Sequence, residues 1–117
     1  MRLIGIDTPE VFGQAECFGR EASAFVKELL PAGSQVDYRL GSDPQDRFGR
    51  ALAYVWLSDR RLLNGLIVEQ GYAVPLRVAP NVELASRFVA SARRARRAGR
   101  GLWARGTCAG DPDRAAG

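Results

Sequence analysis

Histidine is missing from the chain altogether, and that removes whole classes of chemistry. Serine–histidine–aspartate and cysteine–histidine nucleophilic sites both need an imidazole to move a proton. Zinc sites with His ligands, and nucleases that hold their metal through His, fall away with them. Any general base must then be a carboxylate, Lys, Tyr or Cys. Cysteine is nearly absent too. Cys17 and Cys108 lie far apart and have no metal-ligand spacing, so either they pair with each other or they are two unrelated small apolar residues. No apolar run approaches the length of a membrane span. No basic region followed by a long apolar run stands at the N-terminus, and no stretch repeats.

What is present is enough for one modest core. At 117 residues a single domain is expected, and 46% hydrophobic with 26% charged residues is the balance of a globular protein. Seventeen basic residues outnumber 13 acidic ones, for a net charge of +4. That balance suits an anionic partner without demanding one. The charge is uneven: from Arg87 to Arg105 there are seven Arg and no acid.

The apolar periodicity sketches the elements. "RLIGI" reads as a short buried strand ended by a Thr8-Pro9 turn, and 11–19 as a loop. "REASAFVKELL" places Ala22, Phe25, Val26, Leu29 and Leu30 at helical spacing, with Pro31 and Gly33 as the stop. "SQVDYRL" alternates Val36, Tyr38 and Leu40 on one face, as a strand does. "GSDPQDRFGR" reads as a turn-rich loop, "ALAYVWL" as a strand, and "RLLNGLIVEQ" as a short helix closed by Gly71. "YAVPLRVAPN" is extended. "VELASRFVASARRARRAG" is the longest helix, with Leu84, Phe88, Ala92 and Ala95 as its buried stripe and Asn81 as a cap. Arg93, Arg97 and Arg100 fall on one face of it, which reads as solvated. Tyr38, Tyr54, Trp56 and Phe88 read as core or wall residues. "GLW" packs back on the helix, and the Gly-, Asp-, Pro- and Ala-rich tail 106–117 is expected to be disordered.

Three stretches carry a more specific signal: "RLIGIDTPE", "DRFGRALAYVWL", and "NGLIVEQGYA" with the later "GLW". Alone, an Asp-Thr-Pro-Glu turn reads as a turn with a solvated Glu, and an Arg before a strand as an exposed charge. In this order and spacing the stretches resemble the thermonuclease (staphylococcal nuclease-like) family over a domain of residues 1–105. The resemblance implies an α+β fold, a five-stranded OB-type barrel with three helices. It implies a Ca²⁺-dependent nuclease that hydrolyses DNA and RNA phosphodiester bonds. Arg2 and Arg50 match the two phosphate-binding arginines of that family, and Glu10 the carboxylate that positions or deprotonates the attacking water. Asp7 matches a carboxylate ligand of Ca²⁺, and Thr8 a ligand through its backbone carbonyl, both hard oxygens that Ca²⁺ prefers. Asp46 and Arg47 match the substrate-side loop, with Arg47 toward phosphate. In exported relatives of this type a Cys17–Cys108 disulfide would staple the C-terminal segment to the barrel, adding about 4–5 kcal/mol by chain entropy. The resemblance also implies a secreted or cell-surface protein in full-length form, with DNA or RNA as its partner and no membrane.

Two departures accompany the match. The family's opening β-hairpin, with a second Ca²⁺ carboxylate in an Asp-Gly-Asp-Thr-like stretch, has no counterpart here. The chain therefore reads as N-terminally truncated, its strands open to exchange with another copy. The aromatic positions on which the substrate base stacks correspond to Arg77 and Ala79 in "VPLRVAPN", so Arg77 is expected to supply a phosphate or cation–π contact instead. The rival reading is a non-catalytic OB-type module that binds nucleic acid or protein. Retention of Arg2, Asp7, Glu10 and Arg50 favours the enzyme; the absent hairpin carboxylate favours the module.

Overall fold

The computed structural model describes residues 2–7, 17–104 and 108. The Thr8-Pro9 turn, most of the 11–19 loop and, apart from Cys108, the 106–117 tail lie outside the described residues. The opening stretch is two short strands, β1 (Arg2–Leu3) and β2 (Ile6–Asp7), divided by a turn at Ile4-Gly5. The division is Gly5, whose φ of +82° suits a residue without a side chain. A Cβ there would also run into the Phe88 ring. So "RLIGI", expected as one strand, bends at its glycine and serves two sheets.

The helix α1 (Gly19–Leu29) follows, stopped just before Pro31, and then β3 (Asp37–Gln45) and β4 (Ala51–Trp56). β4 is the centre of a three-stranded sheet. β1 joins it in parallel, Arg2 opposite Leu52, and β3 joins it antiparallel, Tyr38 opposite Val55. β3 runs further than the sequence suggests, into the segment read as a loop. Its register with β4 shifts between Leu40 and Gln45, and the Asn81 side chain holds the shifted stretch. Asn81 Oδ1 accepts the Asp43 N–H and its Nδ2 donates to the Asp43 carbonyl, each at 2.9 Å. Asn81 is therefore not the helix cap: the last helix begins at Ala85, too far along for its side chain.

After α2 (Leu63–Glu69), strand β5 (Val74–Pro75) pairs antiparallel with β2, Ile6 opposite Pro75 and Asp7 opposite Val74. Helix α3 (Ala85–Ala98) and a 3₁₀ turn (Gly101–Trp103) complete the order. Among the described residues the architecture is α+β with three α-helices. Among the described residues the strands form one three-stranded and one two-stranded sheet rather than a closed barrel. No described helix is long and apolar enough to cross a membrane.

The core lies between β4, α2 and α3. Tyr54, Leu63, Ile67, Val68, Phe88 and Leu102 are all essentially inaccessible to solvent. Phe88 and Ala95 hold the buried stripe of α3 as expected, with Ser91 between them, whereas Leu84 and Ala92 are only half-buried. Tyr38 corrects the sequence reading: it is 58% exposed, because β3 is an edge strand and no described element covers that face. On α1 only Gly19 and Ala22 are buried; Phe25 is half-buried and stacks on Tyr72 with ring centroids 4.3 Å apart. The Gly101–Trp103 turn does pack back. Leu102 N–H donates to the Gly71 carbonyl at 2.8 Å; a Cβ on Gly71 would strike the Arg100 carbonyl, and one on Gly101 the Gly71 carbonyl. Arg100 falls beyond the end of α3 and donates to the Glu69 carbonyl at 3.1 Å, so it does not share a helical face with Arg93 and Arg97. Cys17 and Cys108 form a disulfide.

Candidate active site

The β3–β4 hairpin builds one wall of a depression of about 290 Å³. Its loop is written plainly in "DRFGR". Asp46 N–H donates to the Arg50 carbonyl at 2.9 Å and Gly49 N–H to the Asp46 carbonyl at 3.0 Å. Three residues lie between, the last being Gly49 with a φ of +81°, which is the turn-plus-left-handed-glycine pattern of a three-residue hairpin. The Asp46 side chain locks the loop from inside. Its Oδ1 accepts the N–H of Phe48 at 2.8 Å and of Arg50 at 2.9 Å. Its Oδ2 accepts Arg50 Nε at 2.7 Å. Desolvation works to raise the Asp46 carboxyl, but the Arg50 and Phe48 N–H groups and the Arg50 guanidinium outweigh it, and the net direction is down from the ordinary value.

That arrangement presents Arg50 in a defined way. It is held through Nε, its side chain is 51% exposed, and its terminal nitrogens make no other hydrogen bond among the described residues. A guanidinium carries five N–H donors in a fork that matches phosphate oxygens. The Arg50 guanidinium carbon also lies 5.5 Å from the Phe48 ring centroid, and that of Arg47 lies 5.0 Å from it.

The opposite wall comes from the chain start. Arg2, on β1, lines the depression together with Asp46 and Arg47. No carboxylate pairs with Arg2 or Arg47 among the described residues. The parallel pairing of Arg2 with Leu52 places it beside the first residues of β4, and hence beside the hairpin loop. Asn64 fixes this juncture. It is fully buried at the start of α2, accepts the Val55 N–H at 3.0 Å, and donates Nδ2 to the carbonyls of Ile4 at 2.9 Å and Ala53 at 3.3 Å.

The expected site residues thus divide. Arg2, Asp46 and Arg47 share one depression, and Arg50 is bonded to Asp46 beside it. Asp7 sits on β2, half-buried, opposite Val74. Thr8 and Glu10 lie outside the described residues. Arg77 does not line this depression but a neighbouring groove. Leu76 and Val78 line it instead, with Ala79, and neither stood out in the sequence. The available signal was period two: in extended "PLRVA", Leu76 and Val78 share one side and Arg77 takes the other. As for Ca²⁺, the Asp7 carboxylate is a suitable hard donor. No three His, Cys, Asp or Glu side chains converge into a metal-sized group among the described residues, so these residues alone do not complete a site.

The family model described as Staphylococcal nuclease homologue matches residues 1–105. A thermonuclease of Staphylococcus hyicus is 31% identical over 106 residues, which cover 88% of this chain and 62% of that protein. A thermonuclease of Staphylococcus intermedius is 37% identical over 84 residues, 69% of this chain and 49% of that protein. Endonuclease YhcR of Bacillus subtilis is 27% identical over 113 residues, 88% of this chain but 9% of that protein. The chain therefore spans between about half and just under two thirds of the two thermonucleases it matches. With the match covering residues 1–105, most of its length, the chain belongs to the staphylococcal nuclease homologue family.

Proposed function

We propose that the chain is a nuclease domain that hydrolyses phosphodiester bonds of DNA or RNA in the depression between β1 and the β3–β4 hairpin. The observation that carries this reading is the convergence of Arg2, from one end of the sequence, on the Asp46–Arg50 loop. Two guanidiniums brought from separate strands can fork onto the non-bridging oxygens of one phosphate. They hold the charge that grows as phosphorus becomes five-coordinate. Asp46 serves as the orienting group: with its proton lost well below neutral pH, it fixes Arg50 through Nε and leaves the outward nitrogens for substrate. Glu10 is proposed to position and deprotonate the attacking water, the role left to a carboxylate in a chain without histidine.

Ca²⁺ is proposed as the metal, with Asp7 and Thr8 as ligands from this chain. When bound it would supply Lewis-acid neutralisation of phosphate charge. The disulfide supports a place in an oxidising compartment, hence a secreted or cell-surface protein. The test is cleavage of single-stranded DNA by the purified chain in Ca²⁺ and in EGTA, beside Glu10→Ala. Cleavage that needs both Ca²⁺ and Glu10 is the expected result. Binding without cleavage would replace the enzyme reading with the binding-module reading.

A further inference from the structure

A second concavity, of about 300 Å³, lies between β5 and α3 and is separated from the first only by a thin ridge. Gly5 and Leu76 line both depressions, and the Leu76 N–H donates to the Gly5 carbonyl at 2.8 Å along that ridge. Arg77, just after β5, and Arg93, on α3, both line the groove, as do Leu76 and Val89, each 41% exposed. Among the described residues no carboxylate lines it, and neither arginine has a carboxylate partner. The larger basic cleft between α2 and α3, about 430 Å³, is different. There Arg94 is bonded to Glu69 at 2.6 Å, and Arg61 is bonded to Asp59 at 2.7 Å. That cleft also holds Arg60 and Arg87 without carboxylate partners among the described residues, but it shares no described lining residue with the first depression, whereas the Arg77–Arg93 groove does.

We infer that this groove is a second subsite, which holds the polynucleotide strand where it leaves the catalytic depression. The inference rests on the nuclease reading. Two exposed guanidiniums meet successive backbone phosphates, and the Leu76 and Val89 surface receives the flat face of a base or the ribose between them. Continuity across the Gly5–Leu76 ridge gives a strand a path from one concavity to the other. It also accounts for Arg77 lying outside the first depression and for Arg93 facing solvent without a carboxylate partner among the described residues.

The experiment measures anisotropy of labelled oligo(dT)12 and (dT)3 with the 117-residue chain in EGTA, across a salt series. Wild type is compared with Arg77→Ala/Arg93→Ala and Arg77→Lys/Arg93→Lys, and cleavage of the 12-mer in Ca²⁺ is followed in parallel. The alanine pair should weaken 12-mer binding about tenfold more than trimer binding, as expected for two exposed contacts. The slope of log affinity against log salt should become shallower by about 1.4, since a single-strand phosphate contact contributes about 0.7. The lysine pair should restore most of that slope. Equal losses at both lengths, no loss, or no binding by wild type would overturn the subsite. Cleavage by a wild type whose binding ignores both arginines defeats the groove alone. Arginine-dependent 12-mer binding without Ca²⁺-dependent cleavage supports the groove and defeats the nuclease reading.

Discussion

Replacing Asn64 should be the most damaging single polar change outside the site, and its size can be worked out. The amide is fully buried and bonds the Val55 N–H at 3.0 Å and the Ile4 carbonyl at 2.9 Å. Its longer contact, 3.3 Å to the Ala53 carbonyl, is dispensable, because that carbonyl also accepts the Ile4 N–H at 3.0 Å. Asn64→Ala therefore strands one buried donor and one buried acceptor. At about 1–3 kcal/mol for each of the two stranded groups, the expected loss is about 2–6 kcal/mol, a large share of the roughly 5–15 kcal/mol that holds a domain together. Asn64→Asp adds a pH signature. One oxygen can still accept from Val55, but the other would face the Ile4 and Ala53 carbonyls, so only the protonated acid fits. The folded pKa is then raised above the unfolded value of about 3.9. Stability of this variant is highest below that value and falls as pH rises toward the folded value, by up to about 1.4 kcal/mol per pH unit. Urea unfolding from pH 4 to 7 at fixed ionic strength measures both effects. A loss under about 1 kcal/mol for the alanine variant would refute the reasoning, as would a pH-independent deficit for the aspartate variant.

Other consequences are more local. Gly5→Ala combines a left-handed φ of +82° with a clash against the Phe88 ring, and should cost about 2–4 kcal/mol in urea unfolding; a near-neutral result would contradict the bend. Asp46 has a folded pKa depressed from 3.8, so its contribution is complete above that value and lost as pH falls through the lower one. Asp46→Asn should flatten the acid limb of the stability curve between pH 2 and 5; an unchanged limb would exclude the carboxylate from that role. Cys17→Ser/Cys108→Ser removes a link spanning 91 residues and should cost about 4–5 kcal/mol by chain entropy, read from guanidinium unfolding midpoints; a change under about 1 kcal/mol would mean that the link constrains little.

Much of this was legible in the sequence because it is local. The helices declared themselves through apolar spacing and their Pro and Gly stops, and "DRFGR" encodes its own turn through Asp46 and Gly49. The family resemblance, carried by three short stretches, agrees with the match over residues 1–105. What local patterns could not disclose was pairing across the chain. Asn81 looked like a helix cap because Asn favours caps, yet it ties down Asp43, 38 residues away. Asn64 drew no reading inside "RLLNGLIVEQ", yet from α2 its side chain bonds the backbone at Ile4 and along β4. "GSDPQ" looked like loop because Gly and Pro punctuate loops, yet it extends β3 once Asn81 bridges it. Tyr38 has a strand's alternation, but alternation does not say which face a neighbour covers. Arg77 and Val78 are adjacent in sequence, yet Arg77 lines only the groove beside α3 and Val78 only the depression beside the β3–β4 hairpin, as the alternation of an extended backbone requires.

The central claim is that Arg2 acts on a phosphate held against the Asp46–Arg50 loop, and kcat for single-stranded DNA tests it most directly. With Ca²⁺ saturating and folding checked by circular dichroism, Arg2→Ala should lower kcat about a hundred- to a thousandfold, the usual cost of losing one charge-stabilising donor in the transition state. Wild-type cleavage that Arg2→Ala leaves unchanged would contradict the account.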